Sequence, residues 1–266
     1  ELRSSLMRSF LSVIILSCLP LGAAACGVDT DCTVGDRVYR IAMPEGVTNP
    51  GVMVFAHGYR GTARGTMRGG NLRNLAAEHD MALIAVQGVD GNWQLPGTPR
   101  TPNMDGEAEY AYFDAVLADA QTRFGIDRDR AVMTGFSAGG MMTWNLICHR
   151  SDLFAAFIPM SGTFWTPEPV TCTSPPTNAV HIHGTADSTV PLAGRPIADQ
   201  HQGDVLETLA MYADFGGYTS PERSTPGDMT CDMQSNADGK TLGFCTFDGG
   251  HGFGIGRLRA ALAMVE

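Results

Sequence analysis

Gly135-Phe136-Ser137-Ala138-Gly139-Gly140 is the stretch that decides the fold. The apolar residues 131–134 before it predict a short buried strand, and residues 141–148 after it predict a helix. The chain must therefore turn sharply at Ser137, and the glycines at 135 and 139 permit that turn without a Cβ clash. Such an elbow exposes the serine hydroxyl and leaves the Ala138 amide at a helix N-terminus, where it has no helical partner. An exposed nucleophile beside an oxyanion donor is what acyl transfer requires.

The composition of the whole chain limits the possible classes of protein. Its 266 residues suit one α/β domain with a sizeable core. The net charge of −10 argues against nucleic acid or an anionic membrane surface as a partner. No internal repeat, low-complexity tract or linker divides the sequence.

The N-terminal residues 1–25 have the features of a signal peptide. Met7-Arg8 precedes an apolar run at 10–21 that is too short to span a bilayer, and three alanines then offer a cleavage site before Cys26. Met7 is the only plausible start methionine in this segment, so we expect residues 1–6 to be upstream sequence. We therefore expect one secreted or periplasmic domain over residues 26–266. The alternative is a lipoprotein that is acylated and anchored at Cys26.

The cysteines support export. Seven are present, and removal of Cys18 with the signal peptide leaves six, an even number that predicts disulfides in an exported chain. Six cysteines allow fifteen pairings, of which neighbours in sequence suggest Cys26–Cys32, Cys148–Cys172 and Cys231–Cys245. No cysteine or histidine cluster has the spacing of a zinc site, so we expect no metal.

Buried strands alternate with helices along the chain. Continuous apolar runs predict strands at 52–56, 82–86, 131–134, 155–159, 179–183 and 241–247, and residues 37–42 predict an edge strand. Amphipathic segments predict helices at 71–79, 107–124 and 204–215, with a terminal helix from about residue 256. This alternation predicts an α/β fold, with a mostly parallel central sheet and helices on both faces.

Chemically suggestive residues follow the predicted strands directly. In a sheet of this kind the ligand crevice lies outside the carboxyl ends of the strands. One folded sheet would therefore gather six side chains on one edge: Tyr59, Trp93, Ser137, Trp165, Asp187 and His251.

A serine nucleophile needs a base within hydrogen-bond reach and a third group that orients the base. The order Ser137, Asp187, His251 is that of the α/β-hydrolase triad. We expect His251 to take the serine proton and Asp187 to fix the imidazole tautomer. The oxyanion donors are expected to be the backbone amides of Ala138 and of Tyr59, which follows the 52–56 strand.

Two other groups compete for these roles. Asp248 lies three residues before His251, where we expect it to shape the loop rather than orient the base. His181 and His183 alternate on one strand and so face the same side, but two ligands without a third more often indicate core histidines than a metal site.

Several motifs together resemble one known family. Asp127-Arg128-Asp129-Arg130-Ala131-Val132 precedes the serine elbow, and the remaining motifs are His57-Gly58-Tyr59-Arg60-Gly61, His183-Gly184-Thr185-Ala186-Asp187-Ser188-Thr189-Val190-Pro191 and Gly249-Gly250-His251-Gly252-Phe253. From about Gly35 onward the chain resembles the secreted polyhydroxybutyrate depolymerases and feruloyl esterases, a family of α/β-hydrolases. The resemblance implies the same triad and the same oxyanion donors. The family commonly has Trp-Pro where this chain has Phe253-Gly254, so the pocket wall is expected to differ there.

The expected site is open. Only residues 160–178 separate two predicted strands at the position where many lipases insert a lid domain, so we expect no lid. Trp93, Trp165 and Phe253 would flank the serine; aromatic walls suit a cinnamoyl group or a sugar face, although the same side chains could simply pack.

We therefore expect a secreted serine carboxylic ester hydrolase that forms an acyl-serine and acts, without metal or cofactor, on short-chain, aryl or hydroxyalkanoate esters, either small or oligomeric. The alternatives are a serine peptidase or lipase on the same sheet, and an inactive surface-binding module.

Overall fold

The computed structural model describes residues 26–265. The predicted signal peptide, with Cys18, lies outside the described residues. The strands are β1 Cys32–Val34, β2 Arg37–Ala42, β3 Gly51–Ala56, β4 Met81–Val86, β5 Ala131–Phe136, β6 Ala156–Met160, β7 Asn178–Gly184, β8 Pro196–Ile197, β9 Gln200–His201, β10 Thr219–Ser224, β11 Met229–Ser235 and β12 Thr241–Phe247. The α-helices are α1 Ala63–Arg68, α2 Gly70–Glu78, α3 Glu107–Phe124, α4 Ala138–His149, α5 Val205–Gly216 and α6 Ile255–Val265.

Ten of these strands form one sheet, in the order β1-β2-β4-β3-β5-β6-β7-β12-β11-β10. The run from β4 to β12 is parallel throughout. Every residue of β3 and β4 is buried, as expected for strands covered on both faces. The predicted α/β fold with a mostly parallel sheet is confirmed.

Both ends of the sheet contain antiparallel strands that were not predicted. Residues 37–42 do form a strand, but the prediction of an edge strand is wrong, because β1 pairs antiparallel along its outer side. At the other end, β11 and β10 continue the sheet beyond β12. All six residues of β10 are exposed, and the strand contains Pro221 and an irregularity between Thr219 and Glu222. It therefore lacks the apolar alternation by which a strand is recognised in a sequence.

Helices cover both faces of the sheet. One apolar cluster joins the sheet to the buried sides of α3, α4 and α5, and a second joins it to α1, α2 and α6. The predicted bounds of α3 are those observed, and Gly125, in the left-handed conformation with φ 67°, ends the helix. The described chain between β6 and β7, residues 161–177, contains no helix or strand.

Three disulfides join the six cysteines of the described chain. Cys26–Cys32 fastens the chain before β1, Cys148–Cys172 ties the last turn of α4 to the loop after β6, and Cys231–Cys245 links directly opposite residues of β11 and β12. These are the pairs suggested by neighbours in sequence. Among residues 26–265, no helix has both the length and the apolar character needed to cross a bilayer.

Candidate active site

The turn from β5 into α4 holds Ser137 in a strained conformation. Its φ of 60° and ψ of −120° lie outside the regions that side-chain-bearing residues normally adopt, at a cost of about 1–3 kcal/mol. The turn is held by the Ser137 amide, which donates to the Met160 carbonyl at 2.9 Å. Gly139 lets the helix start against β3, because a Cβ there would overlap the Ala56 carbonyl oxygen. The side chain of Ser137 does not cap the helix, so its hydroxyl is left for other chemistry.

Asp187 and His251 form a hydrogen-bonded pair at the ends of β7 and β12. His251 Nδ1 donates to Asp187 Oδ2 at 2.7 Å. The other carboxylate oxygen accepts the backbone amides of Thr189 and Val190, both at 2.8 Å. The Asp187 side chain is fully buried, and its carboxylate is fixed on both oxygens. This arrangement sets the His251 tautomer and leaves Nε2 as the proton acceptor.

Asp248, the competing carboxylate, is exposed and makes no hydrogen bond within the described chain. Of the two acids weighed from the sequence, Asp187 is therefore the one in contact with His251.

His251 packs against the residue that precedes Ser137, and no hydrogen bond joins it to the serine. The Phe136 ring, one residue before the serine, lies 4.7 Å from the His251 ring, centroid to centroid. Within residues 26–265 the Ser137 hydroxyl has no hydrogen-bond partner. A nucleophile and base that are loosely aligned in the free protein commonly tighten only when substrate binds.

The loop after β3 approaches the serine from the other side. Gly58 packs directly against the serine: a Cβ added to Gly58 would lie 3.4 Å from the Ser137 Cβ. The loop is held by the Arg60 amide, which donates to the Gly91 carbonyl at 2.8 Å. In the described part of the chain, the amides of Tyr59 and Ala138 have no hydrogen-bond acceptor. Two free donors beside a half-buried, cavity-lining serine match the requirement of an oxyanion site.

His57 and Trp93 support this loop from below. His57 Nδ1 donates to the Gly58 carbonyl at 2.8 Å, and its Nε2 accepts the Gly88 amide at 3.0 Å. Burial lowers the pKa of His57, in keeping with a neutral ring in that network. Trp93 is 1% exposed, and its indole N–H donates to the His57 carbonyl at 2.9 Å. Trp93 therefore fixes the oxyanion loop as well as bordering the cavity described below.

A second buried network connects the core to Asp187. The Trp144 indole donates to His181 Nδ1 at 3.0 Å, and His181 Nε2 donates to His183 Nδ1 at 2.9 Å. His183 Nε2 donates to the Val190 carbonyl at 2.8 Å and lies 3.4 Å from Asp187 Oδ2. Burial lowers the pKa of both histidines.

All four ring nitrogens of this network are used, which leaves neither histidine free to bind a metal. Nowhere in residues 26–265 do three or more His, Cys, Asp or Glu side chains cluster as metal ligands would.

A cavity of about 340 Å³ opens beside Ser137. Of the residues predicted for the site, it is lined by Tyr59, Trp93, Ser137, Ala138 and Trp165. Phe253 was expected in its wall but does not line it. That ring instead packs edge-on against Phe55, with centroids 5.7 Å apart, and against Phe136 at 6.0 Å.

Further lining residues come from segments without a sequence motif: Arg100, Met141, Arg195, Ile197 and Gln202. Most of them belong to the β8–β9 hairpin and its flanks. The hairpin is joined to the loop after β6 by two contacts. The Thr166 amide donates to the His201 carbonyl at 2.9 Å, and Trp165 forms an isolated antiparallel β-bridge with Gln202. No local sequence pattern predicts this wall, because its position depends on the contacts between the hairpin and the loop after β6.

Comparison with known proteins gives consistent matches. The phospholipase/carboxylesterase family matches residues 109–231, a segment that includes Ser137 and Asp187 but ends before His251. NocK of Nocardia uniformis subsp. tsuyamanensis, named an esterase, is 29% identical over 59% of this chain, and the match spans only 47% of NocK. Feruloyl esterase C of Emericella nidulans is 24% identical, over 82% of this chain and 77% of that enzyme.

Solved structures agree on the fold. The acetyl xylan esterase from Aspergillus awamori superimposes with a TM-score of 0.61 at 17% identity, covering 84% of this chain and 93% of its own. The Bacillus cereus carboxylesterase superimposes with a TM-score of 0.58 at 14% identity, covering 87% of this chain and 94% of its own.

Proposed function

Starting from the place of this chain among the α/β-hydrolase esterases, we propose that it is a carboxylic ester hydrolase acting through an acyl-Ser137 intermediate. The observation that carries the proposal is the buried Asp187 carboxylate hydrogen-bonded to His251, beside a strained serine elbow. A surface-binding module would need neither a fixed imidazole tautomer nor an unbonded serine hydroxyl at a cavity.

Acylation begins when the Ser137 hydroxyl attacks the ester carbonyl carbon. His251 Nε2 takes the hydroxyl proton, and the new imidazolium is stabilised by Asp187. The negative charge moves to the former carbonyl oxygen, which accepts the amides of Tyr59 and Ala138. The tetrahedral intermediate then breaks its C–O bond to the alcohol, and His251 returns the proton to the departing oxygen.

Deacylation repeats these steps with water. His251 takes a proton from the water as its oxygen attacks the acyl carbon, and the amides of Tyr59 and Ala138 again hold the oxyanion. Collapse of the intermediate breaks the bond to Ser137 Oγ, which recovers its proton from His251. The free acid leaves and the resting site is restored.

The cavity favours small or aryl esters as substrates. Its volume is about 340 Å³, at the lower end of ordinary small-molecule sites, and Trp165 gives it an aromatic wall. The named activities of feruloyl esterase C and of the acetyl xylan esterase point the same way. Short-chain, aryl and hydroxyalkanoate esters are therefore the proposed substrates.

Three disulfides support an exported location for the enzyme. We place it outside the cytosol, either secreted or periplasmic.

Fluorophosphonate labelling tests the serine chemistry directly. The wild-type chain should be labelled and hydrolyse 4-nitrophenyl acetate, and Ser137→Ala should lose both properties. Asp187→Asn should lower kcat by about 10⁴-fold, since it spoils the imidazole tautomer. Asp248→Asn is the matched control, with the same chemical change close to His251 in sequence. A folded wild-type protein that resists labelling, or an Asp248→Asn variant that is more impaired than Asp187→Asn, contradicts the proposal.

A further inference from the structure

The charged residues that line the cavity are all cationic. Arg100 and Arg195 border it, and no carboxylate does, although the whole chain has 28 acidic and only 18 basic residues. Other arginines, such as Arg37, Arg223 and Arg257, are paired with carboxylates. Neither cavity arginine forms an ion pair within residues 26–265. Unpaired cations facing a substrate cavity of an acidic protein indicate that the missing anion belongs to the ligand.

Arg195 is held in place for such a ligand. Its Nε donates to the Thr189 carbonyl at 2.8 Å, which fixes the guanidinium plane and leaves its terminal nitrogens without partners among the described residues. Thr189 itself lines the cavity, and its amide binds the Asp187 carboxylate. The cation is therefore anchored to the same loop that carries the acid. A pre-positioned guanidinium loses little freedom on binding, and its fork matches a carboxylate.

Gln202 adds an unpaired polar group to the wall beside Arg195. It is 3% exposed, it lines the cavity, and its side-chain amide oxygen has no hydrogen-bond partner in the described chain. Its backbone amide donates to the Arg195 carbonyl at 2.9 Å, so the two residues lie side by side on the hairpin flanks. Buried amide oxygens are rarely left unpaired, so this acceptor is matched to a donor on the substrate, such as a hydroxyl or N–H group, and the arginines alone would bind a carboxylate.

We propose that the cavity beside Ser137 contains an anion subsite, formed by Arg195 and Arg100 with Gln202 next to them, that selects esters carrying a carboxylate on the acyl or alcohol part. This inference rests on the proposed esterase function and narrows its substrate class. Trp165, Met141 and Ile197 form an apolar part of the wall, which would hold the hydrocarbon part of the ester.

Matched substrate pairs test the subsite. Mono-4-nitrophenyl adipate and 4-nitrophenyl hexanoate have acyl chains of equal length, ending in a carboxylate or a methyl group. 4-Acetoxybenzoate and 4-acetoxybenzamide place the same contrast on the alcohol part. The readout is the ratio of kcat/KM for the anionic ester to that for the neutral ester, which a general loss of structure does not move.

We expect Arg195→Met and Arg100→Met each to lower this ratio by about tenfold in at least one pair, the order of one charge-assisted hydrogen bond. Raising the salt concentration should lower it in the wild type. Arg68→Met is the matched control, because it removes the same charge from an exposed position outside the cavity and should leave the ratio unchanged. A ratio that is the same in wild type and in both cavity variants, for both pairs, overturns the subsite.

A binding measurement separates failure of the subsite from failure of the esterase proposal. Monomethyl adipate is added to Ser137→Ala, and the tryptophan fluorescence, to which the cavity-lining Trp93 and Trp165 contribute, is followed. Saturable quenching that weakens in Ser137→Ala/Arg195→Met supports the subsite even if no ester is hydrolysed. Hydrolysis of neutral esters with neither an arginine-dependent ratio nor arginine-dependent quenching refutes the subsite and leaves the esterase proposal intact.

Discussion

Mild acid should destabilise this protein well above the pH at which carboxylates titrate. His57, His181 and His183 are buried, and burial lowers the pKa of each below the ordinary value of 6.5. The unfolded chain then binds protons that the folded chain does not. Stability is therefore fully present above pH 6.5 and is lost progressively as the pH falls below it, until the folded-state pKa values are reached.

The size of the effect follows from the number of such groups. A histidine that stays neutral in the folded state at pH 5.5 costs about 1.4 kcal/mol of unfolding free energy relative to pH 7.5. Three of them together cost up to about 4 kcal/mol. This is a large part of the unfolding free energy of a typical folded protein, which is roughly 5–15 kcal/mol.

Equilibrium unfolding in guanidinium chloride at pH 7.5, 6.5 and 5.5 measures this loss. His181→Gln, which keeps one amide donor and one acceptor, should reduce the pH-dependent part by about 1.4 kcal/mol, the share of one histidine. An unfolding free energy that is equal at pH 7.5 and 5.5 would refute the reasoning, because it would mean that the buried histidines are protonated as easily as in the unfolded chain. A His181→Gln variant with an undiminished pH dependence would exclude His181 as a contributor.

Three further predictions concern the site and its supports. Trp93→Phe removes the donor to the His57 carbonyl, so kcat for 4-nitrophenyl acetate should fall by about tenfold with little change in KM, and an unchanged kcat would show that the oxyanion loop needs no such support. Joint replacement of Cys231 and Cys245 by serine opens a loop with a sequence separation of 14 and should lower the unfolding free energy by about 3 kcal/mol. Calorimetry should then show a melting temperature lower by about 6–12 °C, and kcat should fall. An unaltered melting temperature would contradict the entropic estimate. Across a series of 4-nitrophenyl esters, kcat/KM should be higher for short acyl chains than for long ones, and a preference for chains beyond about ten carbons would contradict the small cavity.

The parallel core of the sheet could be predicted because the apolar composition of its strands reflects their burial. β3 and β4 are buried on both faces, and such strands read as unbroken apolar runs. β1 has only three residues, and β10 has no buried residue, so neither produces a pattern. Each pairs antiparallel with the next strand of the chain across a short turn, so its place in the sheet depends on β2 or β11 and not on a pattern of its own.

The candidate site divides in the same way. Ser137, Asp187 and His251 follow strands within recognisable motifs, so a parallel sheet alone brings them to one edge. Arg195 and Gln202 belong to a hairpin whose position is set by contacts with the loop after β6, and no periodicity in the sequence encodes that contact.

The outermost strand β10 has a consequence for how the protein meets copies of itself. An open sheet edge is a template on which a strand from another molecule can be added, and such additions seed dimers and fibrils. Here Pro221 removes one donor from the edge, the irregularity after Thr219 bends it, and Arg223 places a guanidinium there, bonded at 2.7 Å to both carboxylate oxygens of Asp232. The six residues of β10 therefore protect the sheet edge from pairing with a strand of another molecule. Replacing Pro221 with valine and Arg223 with threonine would leave an edge strand that can pair with other molecules. Concentrated solutions of that variant should aggregate, whereas solutions of the parent chain should stay clear.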